Sequence, residues 1–370
     1  MALCAFAALG LLVSLALNLS FLNPVAQTMK GFSLTDIYYN VLQEYGEADT
    51  SRVVTIVDIT DVHDRLQLAE VLAEVESMKP KVVGVDVIFE GFKPDTVGDM
   101  RLVQVAQENP DIVWSYHLLD WGNDSVGYTN EVHSFFADMV PVNEGFTNYE
   151  RDLYGGMKRQ ANLVRLCNGE RRSALVYDVA NHFADGKLAV RDEDDLNINF
   201  QPTVFKVIPY DSVSFCPDLI EGRVVLYGAD REITDMHYTP LGKLAGIELL
   251  AYSVQTLLEQ TEVRHLSKWT TALFSFLIVL ITQILRSSYL KWTRVRRSAW
   301  LRFFLGSVFM VGILLFLWST VLMGGAFLLF CKTGISFDLG WALAAIPFLR
   351  GAKEFVEFIL LKVTGNNIII

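Results

Sequence analysis

Residues 303–330 carry no charged side chain, and a helix over them, at 1.5 Å per residue, is longer than the roughly 30 Å hydrocarbon core of a bilayer. A chain with such a run reads first as a membrane protein. Two further runs agree with it, residues 2–22 and 269–285, both uncharged. No Lys or Arg precedes the first, and its end, Asn18-Leu19-Ser20-Phe21-Leu22, is a poor cleavage site, so a retained anchor is expected there rather than a cleaved signal. Trp269 suits the boundary between water and hydrocarbon.

Between the second and third runs stand Arg286, Lys291, Arg294, Arg296, Arg297 and Arg302, with no acid among them. The positive-inside bias makes this loop, 286–302, cytoplasmic and orients everything else. The run over 303–330 then leads outward, its Gly324-Gly325 pair permitting a bend or a close helix contact. The last apolar run, 337–349, is short and includes Asp338, which is expected as an interfacial cap rather than a proton relay. Continued through Lys362, a helix there crosses with Arg350 and Lys353 near the inner face; otherwise the segment is re-entrant or interfacial. The expected organisation is a membrane anchor over 1–22, an extracytoplasmic domain over 23–267, membrane helices over 268–362 and a short tail over 363–370.

Of the 42 acidic and 31 basic residues, only three acids and eleven bases lie outside 23–267, so that stretch carries a net charge of −19. A surface so acidic, with no basic groove laced with aromatics, excludes nucleic acid as a partner. Of the four cysteines only Cys167 and Cys216 share this domain. An oxidising compartment would permit a bridge between them, and two buried thiols is the alternative.

The 23–267 stretch reads as α/β. Val53-Val54-Thr55-Ile56-Val57-Asp58 suits a buried strand, residues 64–78 have helical spacing, and residues 81–89 suit a second strand. Strand, helix and strand in that order form a right-handed parallel crossover. A helix over 102–108 and a strand over 111–116 repeat the unit. Residues 120–168 loosen into Gly, Asn, Asp and aromatics and are expected as long loops framing a binding face. Further elements follow: a helix over 174–184, short strands over 196–200 and 203–208, a buried strand over 222–228, and a closing helix over 246–259. The fold class is thus α/β with parallel crossover units, flanked by one N-terminal and about three C-terminal transmembrane helices.

The order of these pieces resembles the CHASE-two domain, an extracellular sensory module of bacterial cyclases, histidine kinases and related receptors. The likeness rests on Val57-Asp58-Ile59-Thr60-Asp61, Val83-Gly84-Val85-Asp86-Val87-Ile88-Phe89, Leu196 to Phe200 with Phe205, and Gly222-Arg223-Val224-Val225-Leu226-Tyr227-Gly228-Ala229. Asp235 with Thr239-Pro240-Leu241, and Gly246-Ile247-Glu248, complete it. Where the family commonly has a histidine before an alanine, this chain has Leu250-Ala251. The family's cytoplasmic output domain is not expected within these 370 residues, so the resemblance implies a sensor that signals through a separate partner. A homodimer is implied only by analogy with the family's receptors.

Asp58, Asp61 and Asp86 are expected at the C-terminal ends of adjacent parallel strands, the edge where open α/β sheets place ligand crevices. Asp230, Asp235 and Thr239 are expected near the same edge, with His237 more a surface histidine than a metal ligand. The carboxylates Asp58, Asp61 and Asp86 suit a divalent cation or a polar ligand, and equally suit capping of loops and helix starts. Gly155-Gly156 and 222–228 lack the Lys-Ser or Lys-Thr of a phosphate loop, no serine stands in a nucleophile elbow, and neither cysteine shows signs of activation. Three readings follow. One is a bacterial inner-membrane sensor or sensor subunit with a periplasmic domain, and another is a non-enzymatic scaffold subunit of an envelope complex. The third is a membrane-bound metal-dependent hydrolase. The basic loop, with Tyr289, Trp292 and Trp300, sets topology and offers contacts to anionic lipid headgroups or a cytoplasmic protein.

Overall fold

A computed structural model of the chain describes residues 34–94, 96–148, 156–188, 195–337 and 339–364. The N-terminal anchor expected over 2–22, Gly155 and Asp338 lie outside them. The described residues divide into two compact units, one from Tyr39 to Val263 and one that includes those from Arg264 onward.

The first unit is built on alternating apolar strands. The helix α1 (Leu34–Tyr45) seats Tyr39 edge-on against Phe200, and β1 (Asp49–Asp58) follows it. Next come α2 (Arg65–Ser77), β2 (Val82–Val85), α3 (Thr96–Glu108) and β3 (Val113–Asn123). Asp64 caps α2 by accepting the Gln67 backbone N–H, which satisfies one of the donors a helix start leaves open. Side chains that alternate along the strands face opposite ways. Val57, Val83, Val85, Trp114, Val225 and Tyr227 therefore share one buried core with Leu68, Leu72 and Val75 of α2 and Leu102, Val105 and Ala106 of α3.

The middle of the domain departs from the expectation of long loops. Residues 113–173 continue as β4 (Gly127–Val132), β5 (Asn143–Phe146), β6 (Gln160–Asn162), β7 (Val164–Cys167) and β8 (Glu170–Ser173). These strands are short and largely polar, and much of β4 and β8 is exposed or half-buried. They lack the apolar alternation that marks a strand packed on a core. The helix α4 (Leu175–Phe183), then β9 (Asp195–Asn197) and β10 (Thr203–Pro209), lead to β11 (Val224–Gly228). A hairpin of β12 (Met236–Thr239) and β13 (Gly242–Ala245) precedes α5 (Gly246–Glu259).

The large sheet runs β10-β1-β11-β2-β3-β4-β7-β8, with β5 also paired to β3. From β10 to the first half of β3 the pairing is parallel, and the second half of β3 turns into an antiparallel pair with β4. The sheet is therefore mixed. Its order corrects one expectation: β11 lies between β1 and β2, so the strands that lead to Asp58 and Asp86 are not neighbours. Gly84 of β2 has a reason to be glycine, because a Cβ there would stand 2.7 Å from a Val179 methyl of α4.

In the second unit α6 (Lys268–Arg294) and α8 (Val308–Thr333) are long and apolar enough to cross a membrane. Between them lies the short helix α7 (Ala299–Leu305). The stretch expected as a third C-terminal span is helical over 340–364 but changes its hydrogen-bond pattern partway. A strand pair, β14 (Arg264–His265) with β15 (Ile335–Ser336), precedes α9 (Gly340–Ala345), a 3-10 turn over Ile346–Phe348 and α10 (Leu349–Thr364). Pro347, which has no N–H to donate, falls in that turn, and neither α9 nor α10 alone has the length of a span.

Candidate functional site

The parallel strands deliver their last residues to one edge, and the register there is set by direct pairing. Asp58 stands opposite Gly228 on one side and Pro209 on the other. The Ile59 N–H donates to Gly228 O at 3.1 Å and the Asp86 N–H to Tyr227 O at 2.9 Å, so the chain beyond β1 and β2 stays tied to β11.

Asp58 is 4% exposed and has its acceptors filled. Its Oδ1 accepts from the Thr60 N–H at 2.9 Å, from the Thr60 hydroxyl and from the Asp230 N–H at 3.2 Å. Its Oδ2 accepts from Arg231 Nε at 2.9 Å. Burial alone would raise this carboxyl, but the bonds from Thr60, Asp230 and Arg231 outweigh it and hold it below the usual carboxylate value. Asp61 accepts from the other arm of the same guanidinium, Arg231 Nη2, at 2.6 Å. The Thr60 hydroxyl in turn accepts the N–H groups of Asp230 and Arg231, each at 3.1 Å.

The result is a latch between two loops, 59–61 after β1 and 229–231 after β11. Asp230 is bound into it through its backbone, while its carboxyl is pushed up by burial and by Asp58, with Arg231 opposing. Its Oδ1 is buried without a hydrogen-bond partner. Arg231 itself is well exposed. Arg231→Gln is expected to leave the fold intact and open the latch. Hydrogen exchange at the Asp230 and Arg231 amides should then accelerate relative to the β11 amides; unchanged exchange would mean that Thr60 holds the loop unaided.

The remaining candidates form a second group beside the first. Glycine at 228 leaves room for it, since a Cβ there would lie 3.2 Å from Asp86 Cβ and 2.7 Å from the Ile247 terminal methyl. Burial pushes the Asp86 carboxyl up to about 7, helped by the charge of Asp235 and opposed by His237. Asp235 pairs with His237 Nε2 at 3.2 Å. Its carboxylate also lies directly against Gly246, the first residue of α5, where the positive end of the helix dipole favours a negative charge. His117, on β3, is held below its usual value by burial, against the pull of Glu90 and Asp235. Thus Asp86 feels the charges of Asp235 and His237, and His117 that of Asp235, so the four side chains form one electrostatic group.

Thr239 belongs to neither group. It is 1% exposed, donates to Gly242 O at 2.9 Å and accepts the Leu241 N–H, so it closes the β12–β13 turn rather than facing a ligand. The divalent-cation reading of Asp58, Asp61 and Asp86 meets a similar obstacle. Arg231 already neutralises two of the three, and no group of three or more His, Cys, Asp or Glu side chains suited to a metal occurs among the described residues. Cys167 and Cys216 are both free thiols, which corrects the bridged alternative. Cys167 is buried with Tyr116, Leu118, Phe146 and Ala174, whereas Cys216 packs against the other core, with α2 and α3. Burial and Glu131 push the Cys167 thiol up, away from the reactive thiolate.

Arg231, Thr60 and His117 escaped the sequence reading. Arg231 has the nearest thing to a signal, a base directly after Asp230 in a loop that leaves a buried strand. Thr60 stands in the Val57-Asp58-Ile59-Thr60-Asp61 run that carries the resemblance, but its bridging role, like the place of His117, depends on strand order. A family model of the CHASE2 domain matches residues 6–285. Comparison with curated proteins returned no match, and neither did comparison with solved structures.

Proposed function

The chain belongs to the CHASE2 domain family, a class of extracellular sensory domains, and on that premise we propose that it is a sensor or sensor subunit of a bacterial inner membrane. In this reading the domain over 39–263 is periplasmic, α6 and α8 cross the membrane, and a protein partner supplies the output. The observation that carries the proposal is the double group at the sheet edge, Asp58-Thr60-Asp61-Arg231 beside Asp86-Asp235-His237. It couples two loops through one exposed guanidinium and sets the Asp235 carboxylate, beside the raised Asp86, against the start of α5.

A cue shifts such an arrangement only if it binds one state better than the other. An anionic ligand competing for Arg231, or a change in protonation at Asp86, meets that condition. Either one alters the latch or the packing at the α5 N-terminus. No nucleophile or metal set is used, and the role is not catalytic.

The test is affinity purification of the intact protein from its own membrane in mild detergent, with the copurifying proteins identified by mass. A stoichiometric effector such as a kinase or cyclase is expected. Envelope assembly factors in its place, or no partner at all, would overturn the sensor reading in favour of a scaffold.

A further inference from the structure

The corner between α6 and α8 concentrates charge that nothing in its own sequence neutralises. Lys291 and Arg294 lie in the last turn of α6, Arg296 and Arg297 in the link, and Arg302 in α7. No acid occurs anywhere from 268 to 337. These five side chains are exposed, and none of them forms an ion pair among the described residues.

The corner is nevertheless built. Tyr289 donates to Leu305 O at 2.9 Å and so ties α7 to α6. Ser298 caps α7, and Ser307 caps α8 by accepting the Met310 N–H at 3.2 Å. The Arg296 guanidinium lies 3.7 Å from the centre of the Trp292 ring, a cation–π contact that holds it in place. Fixing five like charges in one corner is unfavourable unless an anion compensates them.

The aromatic neighbours say which kind of anion. Trp292, Trp300 and Phe303 are half or more exposed, Trp300 stacks on Phe304, and the corner joins two helices of membrane length. Aromatic rings beside cations at the end of apolar helices are suited to the glycerol and headgroup layer. A free phosphate would use the cations and leave the rings wet. We propose that this corner is a binding surface for anionic phospholipid headgroups, with Lys291, Arg294, Arg296, Arg297 and Arg302 contacting phosphate and Trp300 and Phe303 seated among the glycerol esters. The proposal rests on the reading that α6 and α8 cross a membrane.

The test uses the intact chain reconstituted into vesicles of equal parts phosphatidylcholine and phosphatidylglycerol. It is then re-extracted in mild detergent, and the retained lipids are counted by mass. Phosphatidylglycerol is expected to be enriched at least about fivefold, the factor one interfacial cation contributes. In the variant Lys291→Gln, Arg294→Gln, Arg296→Gln, Arg297→Gln, Arg302→Gln the retained ratio should return to that of the vesicle. The control Arg52→Gln, Lys206→Gln, which removes exposed charge from the first unit, should keep the enrichment.

Equal retention of the two lipids by the parent chain overturns the proposal. So does displacement of phosphatidylglycerol by inorganic phosphate at millimolar concentration, or a copurifying protein lost in the five-site variant while the lipid ratio stays. An alkaline carbonate wash of the same vesicles separates the two readings. Release of the chain refutes the spanning reading itself, and retention without enrichment refutes only the lipid surface. Unaltered thermal unfolding of the variant's first unit excludes misfolding as the cause of a lost ratio.

Discussion

Asp99→Ala is expected to destabilise the domain over 39–263 by about 3–5 kcal/mol, the range seen when one partner of a buried ion pair is removed. Asp99 is fully buried and Arg65 nearly so, and the two are directly paired. The guanidinium also donates to Gly91 O at 2.7 Å and to Glu90 O at 2.9 Å, while the second Asp99 oxygen accepts the Lys93 N–H at 2.7 Å. Phe89 and Phe135 flank the guanidinium, 5.7 and 5.2 Å from it. Without the carboxylate, a cation is left among aromatic rings and the 89–93 segment loses an anchor.

That segment follows Asp86, so the loss propagates to the sheet edge. Chemical denaturation of the intact protein, followed by tryptophan fluorescence, measures the effect, because Trp114 is fully buried and lies 6.2 Å from Phe89. The double variant Arg65→Met, Asp99→Leu removes both charges and should cost less than either single change, the pattern of a pair whose desolvation offsets much of its attraction. Single-site costs below about 1 kcal/mol would place the pair among the weak, solvent-screened ones instead.

The Arg65–Asp99 pair shows where sequence reading stops. The α2 helix is legible from its apolar spacing and its Asp64 cap. The start of α3 is not, because Thr96 to Arg101 is polar enough to pass for loop, and Asp99 lies in that turn. The buried strands β1, β2 and β11 are plain in their Val-rich runs. Their order is not, since one apolar parallel strand fits beside another about equally well. Inserting β11 between β1 and β2 brings Asp230 and Arg231 to Asp58, and that choice alone turns an apparent carboxylate cluster into a latched ion pair.

The second group depended on the same choice. Asp86 and Asp235 are legible as candidates from their position after buried strands, but the turn that brings Asp235 to His237 and the β12–β13 turn that uses the Thr239 hydroxyl are not. In the second unit hydropathy alone located α6 and α8, because a run of membrane length needs no tertiary context. The 3-10 turn at 346–348 needed the position of Pro347 relative to the helix hydrogen bonds, and composition does not carry that.

Asp86→Asn is expected to stabilise the domain at pH 8 and to flatten its stability between about pH 4 and pH 7. The folded chain pushes this carboxyl from 3.8 up to about 7, first by burial and then by Asp235. Below pH 3.8 the group is protonated in both the folded and unfolded states and contributes nothing. Between 3.8 and about 7 the unfolded chain has released the proton while the folded chain retains it, so each rise in pH favours unfolding. Above about 7 the full penalty stands, on the order of 2 kcal/mol once solvent screening at this half-buried edge is allowed for.

Asp58 acts in the opposite sense and in a separate window. Its folded value lies below 3.8, so its stabilisation is present above that value and is lost only as pH falls further. Glu76, raised to about 7, and Asp178, raised to about 6, share the sign of Asp86 and keep a residual slope in the variant. The discriminating quantity is therefore the difference between parent and variant in denaturation free energy at pH 5 and pH 8. A difference that grows toward pH 8 identifies Asp86 as the group that titrates. A constant difference means its carboxyl ionises near 4 in the folded chain, and the sheet edge then responds to ligand competition at Arg231 rather than to protons.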